Sequence, residues 1–471
     1  MKQQYDLIVI GAGSAGLTAA HFACLLEKRV ALIEKERIGG DCTWTGCVPS
    51  KALLKVARVA HEMRTANRFG LKAVEPEIDL EMVLAHVRSI VGQIYEGERP
   101  EVLQAQGIEV YLGSPRFSDP YTLVVGPDTL SAKKFVICTG ASPLIPPIPG
   151  LAVVDYLTYR QIFDLKRLPE HLMVIGGGPV GVEMAQALHR LGAPVTLVEQ
   201  ESRLLSQDEP EASELLAQIL QAEAVTLRLG APAERVWRKD GRIHLLANNH
   251  EIAGDTLLVA VGRRSNVEGL GLEEAGVRYT EAGIEVDERL RTSQGHIYAA
   301  GDITGGYQFT HYAGWQATIA VRNALLPLSS KGVLGTVPWT TFTDPEIAHV
   351  GLTEEAAREQ HGDGVKTLLR PMSKVDRSVA EAEVNGFIKL VYKGNGRLLG
   401  ATIVARRAGE MIQEWILAMG RKLKVGDLAT VMHVYPTYTM ANMQASTDYQ
   451  TEWLQSSRTG GLLTQIGHIL G

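Results

Sequence analysis

The chain has 471 residues, 47 Lys+Arg against 53 Asp+Glu for a net charge of −6, and 45% hydrophobic residues. No basic block asks for nucleic acid, no run of about eighteen apolar residues asks for a membrane-spanning helix, and the length suggests roughly three domains with substantial cores. Four cysteines in such a length suit a reducing compartment, cytoplasmic by default, and the polar residues 1–6 lead into a strand without a signal peptide.

The first element is a buried strand at 7–10, Leu7-Ile8-Val9-Ile10, which runs into Gly11-Ala12-Gly13-Ser14-Ala15-Gly16 and then a helix to about Glu27. A second strand at 29–33 ends at Glu34. Strand, glycine turn, helix, strand and acid are the context that a dinucleotide fingerprint requires. Gly11 allows the tight turn, Gly13 lets the backbone approach a pyrophosphate, and Gly16 permits close helix–strand packing. The helix start offers amides to phosphate oxygens, and Glu34 is placed to accept from ribose hydroxyls.

Next comes Gly39-Gly40-Asp41-Cys42-Thr43-Trp44-Thr45-Gly46-Cys47-Val48-Pro49-Ser50-Lys51, followed by a helical stretch at 52–67. Two thiols separated by four residues at a helix start are placed for dithiol–disulfide chemistry, with thiolate character expected in both. A zinc site or a structural bridge is the alternative. Zinc would need two more ligands, and the other cysteines, Cys24 and Cys138, sit in apolar runs that read as core. No resident metal site is expected. Residues 79–106 read as one long helix with Asp79 as N-cap. Short strands occupy 109–136, and the Pro-rich link 143–149 marks a domain boundary.

The fingerprint then returns. Leu172-Met173-Val174-Ile175 leads into Gly176-Gly177-Gly178-Pro179-Val180-Gly181, a helix to about Leu191, and a strand ending at Glu199. The first glycine and the acid are 23 positions apart in both copies (34−11 and 199−176). Two copies imply two dinucleotides, one held and one exchanging. Glu199 repels a 2′-phosphate and so favours NADH, although Arg203 leaves NADPH possible.

These motifs resemble those of the class I pyridine nucleotide–disulfide oxidoreductases, the glutathione reductase, dihydrolipoamide dehydrogenase and mercuric reductase type. The resemblance covers essentially the whole chain. It includes Val136-Ile137-Cys138-Thr139-Gly140, Val259-Ala260-Val261-Gly262-Arg263 and Tyr298-Ala299-Ala300-Gly301-Asp302. It implies an α/β fold with two Rossmann-like domains, for FAD and NAD(P)H, and an α+β C-terminal dimerisation domain. The expected bounds are 1–150 for FAD, 151–275 for NAD(P)H, 276–335 for a second FAD segment and 336–471 for the interface of a homodimer. Thr139, Gly140 and Asp302 then belong to the flavin site, Asp302 on the ribityl chain, and Gly262 to the nicotinamide site. Lys51 and Glu183 resemble the family's ion pair beside the flavin ring. By the same resemblance Cys47 would face the flavin as the charge-transfer thiolate, and Cys42 would be the exchange thiol that meets substrate. The resemblance implies that hydride passes from nicotinamide to flavin, which then reduces the Cys42–Cys47 disulfide.

The C-terminal stretch departs from the disulfide-reducing members. They place a histidine before a Pro-Thr pair and a glutamate soon after, a dyad that manages protons for the exchange thiol. Here the stretch is Met432-His433-Val434-Tyr435-Pro436-Thr437-Tyr438-Thr439-Met440, with Tyr435 and Met440 in those places. If the segment is extended, His433 projects to the side of Tyr435 and is a displaced base; otherwise it is structural. The stretch is similar to that of mercuric reductases, with an aromatic-Pro and a later Thr-Met, and Tyr435 and Tyr438 would line the entry. Those enzymes, however, have tyrosine directly after the proline and a terminal cysteine pair, neither of which stands in this sequence, and the N-terminal metal-binding domain found in some of them is not expected here either. The apolar tail from Leu462 reads as dimer packing or a weak membrane-surface contact.

The leading expectation is an FAD-dependent NAD(P)H oxidoreductase with a metal-ion or small-molecule acceptor, similar to mercuric reductase. The alternatives are dihydrolipoamide dehydrogenase or another disulfide reductase, a quinone or general acceptor reductase, and a redox-sensing interaction protein.

Overall fold

The computed structural model of the chain describes residues 4–456; the tail from Leu462 lies outside them. Two compact units divide the described chain, residues 4–200 with 231–335, and residues 201–230 with 336–456.

The first unit is built on β1 (Tyr5–Ile10), buried on both faces as its unbroken apolar run requires. It pairs in parallel with β2 (Val30–Glu34) and, on its other side, with a long later strand. Counting β3 (Ile108–Leu112), β4 (Pro115–Asp119), β5 (Thr122–Val125) and β6 (Asp128–Ile137), the order is β3-β2-β1-β6-β5-β4, with strand Ile297–Ala299 also parallel to β6. Helix α1 (Ser14–Leu25) lies against this sheet and against helix Thr310–Leu325. Ala19, Ala20 and Ala23 meet Ala313, Ala317 and Ala320 in one buried cluster, small side chains that let the helices approach closely.

After β2 the chain forms α2 (Gly40–Trp44) and α3 (Cys47–Arg64). Helix α3 starts at Cys47, earlier than the expected 52, because a proline within the first turn forfeits no intrahelical bond and Pro49 is tolerated there. The long helix expected at 79–106 is two helices. Asp79 does cap α4 (Leu80–Tyr95), accepting from the Met82 amide at 3.1 Å. Pro100 then forces Arg99 into an extended conformation, φ −61° and ψ 148°, and opens a separate α5 (Pro100–Ala105).

β7 (Ala141–Pro143) pairs with Arg263–Ser265. Beyond it, the second fingerprint forms β8 (Leu172–Ile175), α6 (Pro179–Arg190) and β9 (Val195–Val198), with Thr256–Val259 completing parallel pairing on the other side of β8. Strands Ala233–Lys239, Arg242–Ala247 and His250–Gly254 form an antiparallel meander.

The second unit holds an antiparallel five-stranded sheet in the order Trp339–Thr341, Glu346–Gly351, Leu398–Ala405, Phe387–Lys393, Val365–Pro371. Helix Gln413–Gly420 seats Trp415 in its core, with Met372, Ile403 and Ala441. Residues 201–230 are tied to this unit by charge. Buried Lys389 pairs with Glu209 at 2.9 Å, Glu211 at 2.6 Å and Glu354 at 2.9 Å. The mixed α/β architecture, with parallel nucleotide-type folds and a separate α+β unit, is the one expected. Among the described residues no helix is long and apolar enough to cross a membrane.

Candidate active site

Both glycine turns take the geometry their residues were read for. Gly11 has φ +98°, and a Cβ there would lie 2.5 Å from the Cys138 carbonyl oxygen; a Cβ on Gly16 would lie 1.7 Å from that of Gly11. Gly176 and Gly181 repeat the pattern at 2.4 and 1.9 Å. The middle glycines differ: a Cβ on Gly178 would meet nothing within 4 Å, and one on Gly13 would find its first neighbour at 3.9 Å. Backbone therefore faces open space at the two helix starts, and no side chain caps α1 or α6. Uncapped amides over open space fit a pyrophosphate at each turn. Glu34 and Glu199 each brace their own turn. Glu34 accepts from the Ala12 amide at 2.8 Å, and Glu199 accepts from the amide of Gly177.

The dithiol sits between these elements. Gly46 has no side-chain capping bond and precedes Cys47, the first residue of α3. The two sulfurs share a hydrogen bond that sorts their protons. That bond holds Cys47 down to about 6, opposed by the partial desolvation of the sulfur and aided by Thr310 and Lys51. The same contact, then burial, pushes the Cys42 thiol well up. Thiolate character is thus confined to Cys47 and not shared by both, because one sulfur donates to the other. Thr310, at the start of its helix, lies 3.2 Å from the Cys47 sulfur, and Ser14 and Thr310 both hydrogen-bond toward Cys42. Cys138 is buried as expected, whereas Cys24 is only partly buried at the edge of the core and gives its S–H to the Gln106 carbonyl at 2.8 Å.

Lys51 and buried Glu183 meet at 2.9 Å. An ammonium held in that way, one helical turn after Cys47, is a fixed positive charge beside the sulfurs. A cleft of about 440 Å³ opens on Cys47, with Lys51, Lys55 and His86 among its polar residues and Ile90 and Ile94 among its apolar ones. Asp302 is paired with Arg263 at 2.8 Å. Burial raises its carboxyl above the usual range, against the pull of that guanidinium. Its backbone carbonyl accepts from Ser265 at 2.9 Å. Thr139 donates to the Asn266 carbonyl at 3.0 Å, and Gly140 accepts from the Asn266 amide at 3.0 Å. Gly262, at φ +132°, turns the chain out of its strand just before Arg263. A glycine turn, open helix start and buried carboxylate suit an extended dinucleotide at the first fingerprint.

In the second unit the candidate base is already engaged. The His433 side chain is 6% exposed. Its Nδ1 faces the Val431 carbonyl at 2.8 Å and its Nε2 the Glu414 carboxylate at 3.1 Å. Glu414 in turn accepts from the Asn442 amide at 2.9 Å. Tyr435 is 62% exposed and gives its hydroxyl to Asp376 at 2.7 Å, which holds the phenol above its usual range. The two side chains do not share a side, since His433 folds back onto its own loop. Tyr438 does not line an entry either: it is buried in the core and donates to Glu381 at 2.8 Å. Met440 begins helix Met440–Ser456.

Sequence reading missed Thr310 and Ser14 at the thiols and Tyr159, Arg160 and Arg263 at the Asp41 carboxylate. All are brought there by tertiary structure, and Thr310 is 263 residues from Cys47.

The sequence pattern of the pyridine nucleotide-disulphide oxidoreductase family matches residues 5–317, and that of its dimerisation domain matches residues 337–445. The chain is 38% identical over 440 residues to a mercuric reductase of Bacillus cereus, covering 92% of this chain and 69% of that one. It is 37% identical over 454 residues to a dihydrolipoyl dehydrogenase of Thermus scotoductus, covering 94% and 96%. Its structure matches the HOCl-induced flavoprotein disulfide reductase RclA of Escherichia coli with a TM-score of 0.85 and 28% identity, over 94% of this chain and 99% of that one. RclA has also been solved as a Cu(II) complex.

Proposed function

The chain belongs to the pyridine nucleotide-disulphide oxidoreductases and is a flavin-dependent enzyme of that family, and we propose that its acceptor is a soft metal ion rather than a disulfide. FAD, when bound, relays two electrons from the nicotinamide to the Cys42–Cys47 pair. In this reading residues 1–150 and 276–335 hold the flavin and 151–275 the nicotinamide nucleotide, with NADH preferred because of Glu199. The enzyme works as a homodimer through residues 336–471, in the cytoplasm, where few cysteines and a reducible dithiol belong together.

The observation that carries the reading is the engagement of His433. Both of its ring nitrogens are committed to Val431 and Glu414, and Tyr435 and Met440 stand where the family's dyad stands. A disulfide acceptor releases a thiolate that needs a proton, and the exchange thiol must first give one up. Positioned acid–base help at such steps is worth about 10²–10⁴-fold. A soft divalent ion needs less help. Coordination itself deprotonates a thiol, so the raised pKa of Cys42 is overcome by the metal. The electron balance closes: NADH and the divalent ion give NAD⁺, a proton and the element. Relatives named mercuric reductase and the Cu(II) complex of RclA support this choice of acceptor.

The test is NADH oxidation by the FAD-loaded protein with mercuric ion, lipoamide, oxidised glutathione and a quinone in parallel. Mercuric ion should give the highest kcat/KM. Ordinary enzyme rates with either disulfide would reject the reading.

A further inference from the structure

The turn carrying Cys42 has little internal stability. Helix α2 has five residues, Gly39 and Gly40 enter it at φ 101° and 59°, and no side chain caps it. A single helical turn does not persist alone, so contacts outside it must hold it. Thr43 donates to Glu98 at 3.1 Å, and the Trp44 indole donates to the Ile38 carbonyl at 2.7 Å. Asp41, the residue next to Cys42, is gripped more heavily. Tyr159 donates its hydroxyl to Oδ2 at 2.6 Å, Arg263 reaches the same oxygen at 3.0 Å, and Arg160 reaches Oδ1 at 3.2 Å.

These partners are themselves fixed. Arg263 lies over the Tyr159 ring at 5.4 Å, donates to the Ala141 carbonyl at 3.1 Å, and spends its other terminal nitrogen on Asp302 at 2.8 Å. The Nε atoms of Arg160 and Arg263 are buried without a partner among the described residues. Two guanidiniums placed this way lose hydration that the Asp41 and Asp302 carboxylates offset most directly, with Glu36 at 4.0 Å a further charge beside Arg160. Tyr159, pushed up to about 12 chiefly by burial, stays a hydrogen-bond donor at any working pH.

We propose that Tyr159, Arg160 and Arg263 form a latch on Asp41 that positions Cys42 for exchange, with Arg263 tying the latch to Asp302. They are positioning residues: they act through Asp41, across spans of 118 residues for Tyr159 and 222 for Arg263. The inference rests on the assignment of Cys42 as the exchange thiol in the proposed function. Released from the latch, the turn swings on Gly39 and Gly40 and presents Cys42 to solvent.

The experiment measures iodoacetamide alkylation of Cys42 in the reduced, FAD-loaded protein, read by mass spectrometry of its peptide. Tyr159→Phe keeps the ring and removes one bond, and should raise the rate about tenfold, the order expected for one charge-assisted hydrogen bond. Asp41→Asn should raise it further. Tyr159→Phe added to Asp41→Asn should then have little effect, a non-additivity that a general loss of stability does not produce. Unchanged rates in both variants, additive effects, or a rise confined to Asp41→Asn would each overturn the latch. The long-wavelength absorbance of the Cys47 thiolate against flavin distinguishes the two failures. If that absorbance follows Cys42 instead, the thiol assignment has failed; if it stays with Cys47 while alkylation is unmoved, the latch alone has failed.

Discussion

The dithiol turn and the stretch 433–440 are both short, polar and rich in reactive side chains, yet they use them in opposite ways. At the turn, the sulfurs are hydrogen-bonded to each other and to hydroxyls, and Cys47 stays exposed beside a cleft. In the C-terminal stretch nearly every polar group closes on its own unit. His433 is held by Glu414, Tyr435 by Asp376, Thr437 by the Val434 carbonyl at 2.7 Å, and Tyr438 by Glu381. One segment keeps its chemistry available; the other has turned the same kind of residue into structure. The lesson is that a histidine near the right place is not a base when both its nitrogens are spent.

The largest effect should come from the turn. Cys42→Ser or Cys47→Ser should lower NADH-dependent turnover with the preferred acceptor by about 10³-fold or more. The two variants differ in spectrum. Cys42→Ser should show the long-wavelength thiolate absorbance without added reductant, and Cys47→Ser should not show it at all. Identical spectra would mean that the sulfurs are wrongly assigned.

A smaller but opposite effect should come from the C-terminal stretch. Tyr435→His with Met440→Glu should raise lipoamide or glutathione disulfide reduction by about 10²-fold, the lower end of what positioned acid–base help supplies, and leave mercuric ion turnover nearly unchanged. No gain with either disulfide would blur the contrast between the two regions. The smallest effect is titration. Because its pKa is held down to about 6, Cys47 should react with iodoacetamide along a curve that rises through about pH 6 and is flat above it. An ordinary thiol titrates near about 8.5. A midpoint there would mean that the bond from Cys42 does not hold the thiolate.

Much of this was legible in the sequence. Gly11, Gly16, Gly176 and Gly181 announce themselves because any Cβ would collide with backbone, a constraint local enough to leave a spacing. Asp79 is legible for the same reason, since a cap acts within one turn. The break at Pro100 and the early start at Cys47 were not, because a proline's effect depends on which turn it occupies. Thr310 and the Asp41 latch carry no signal at all in one dimension, being assembled across more than a hundred residues. His433 misled for a related reason. Side-chain direction along an extended strand assumes no local turn, and here Nδ1 bends back to Val431 two residues away.

The central claim, that missing proton help and not electron supply decides the acceptor, is tested most directly in a single turnover. The FAD-loaded protein is reduced with one equivalent of NADH and mixed rapidly with excess mercuric ion or with excess lipoamide, and reoxidation is followed by loss of the long-wavelength absorbance. Reoxidation by mercuric ion should be faster by about 10²-fold or more, with equal rates of the preceding reduction. Equal reoxidation by both acceptors would contradict the account.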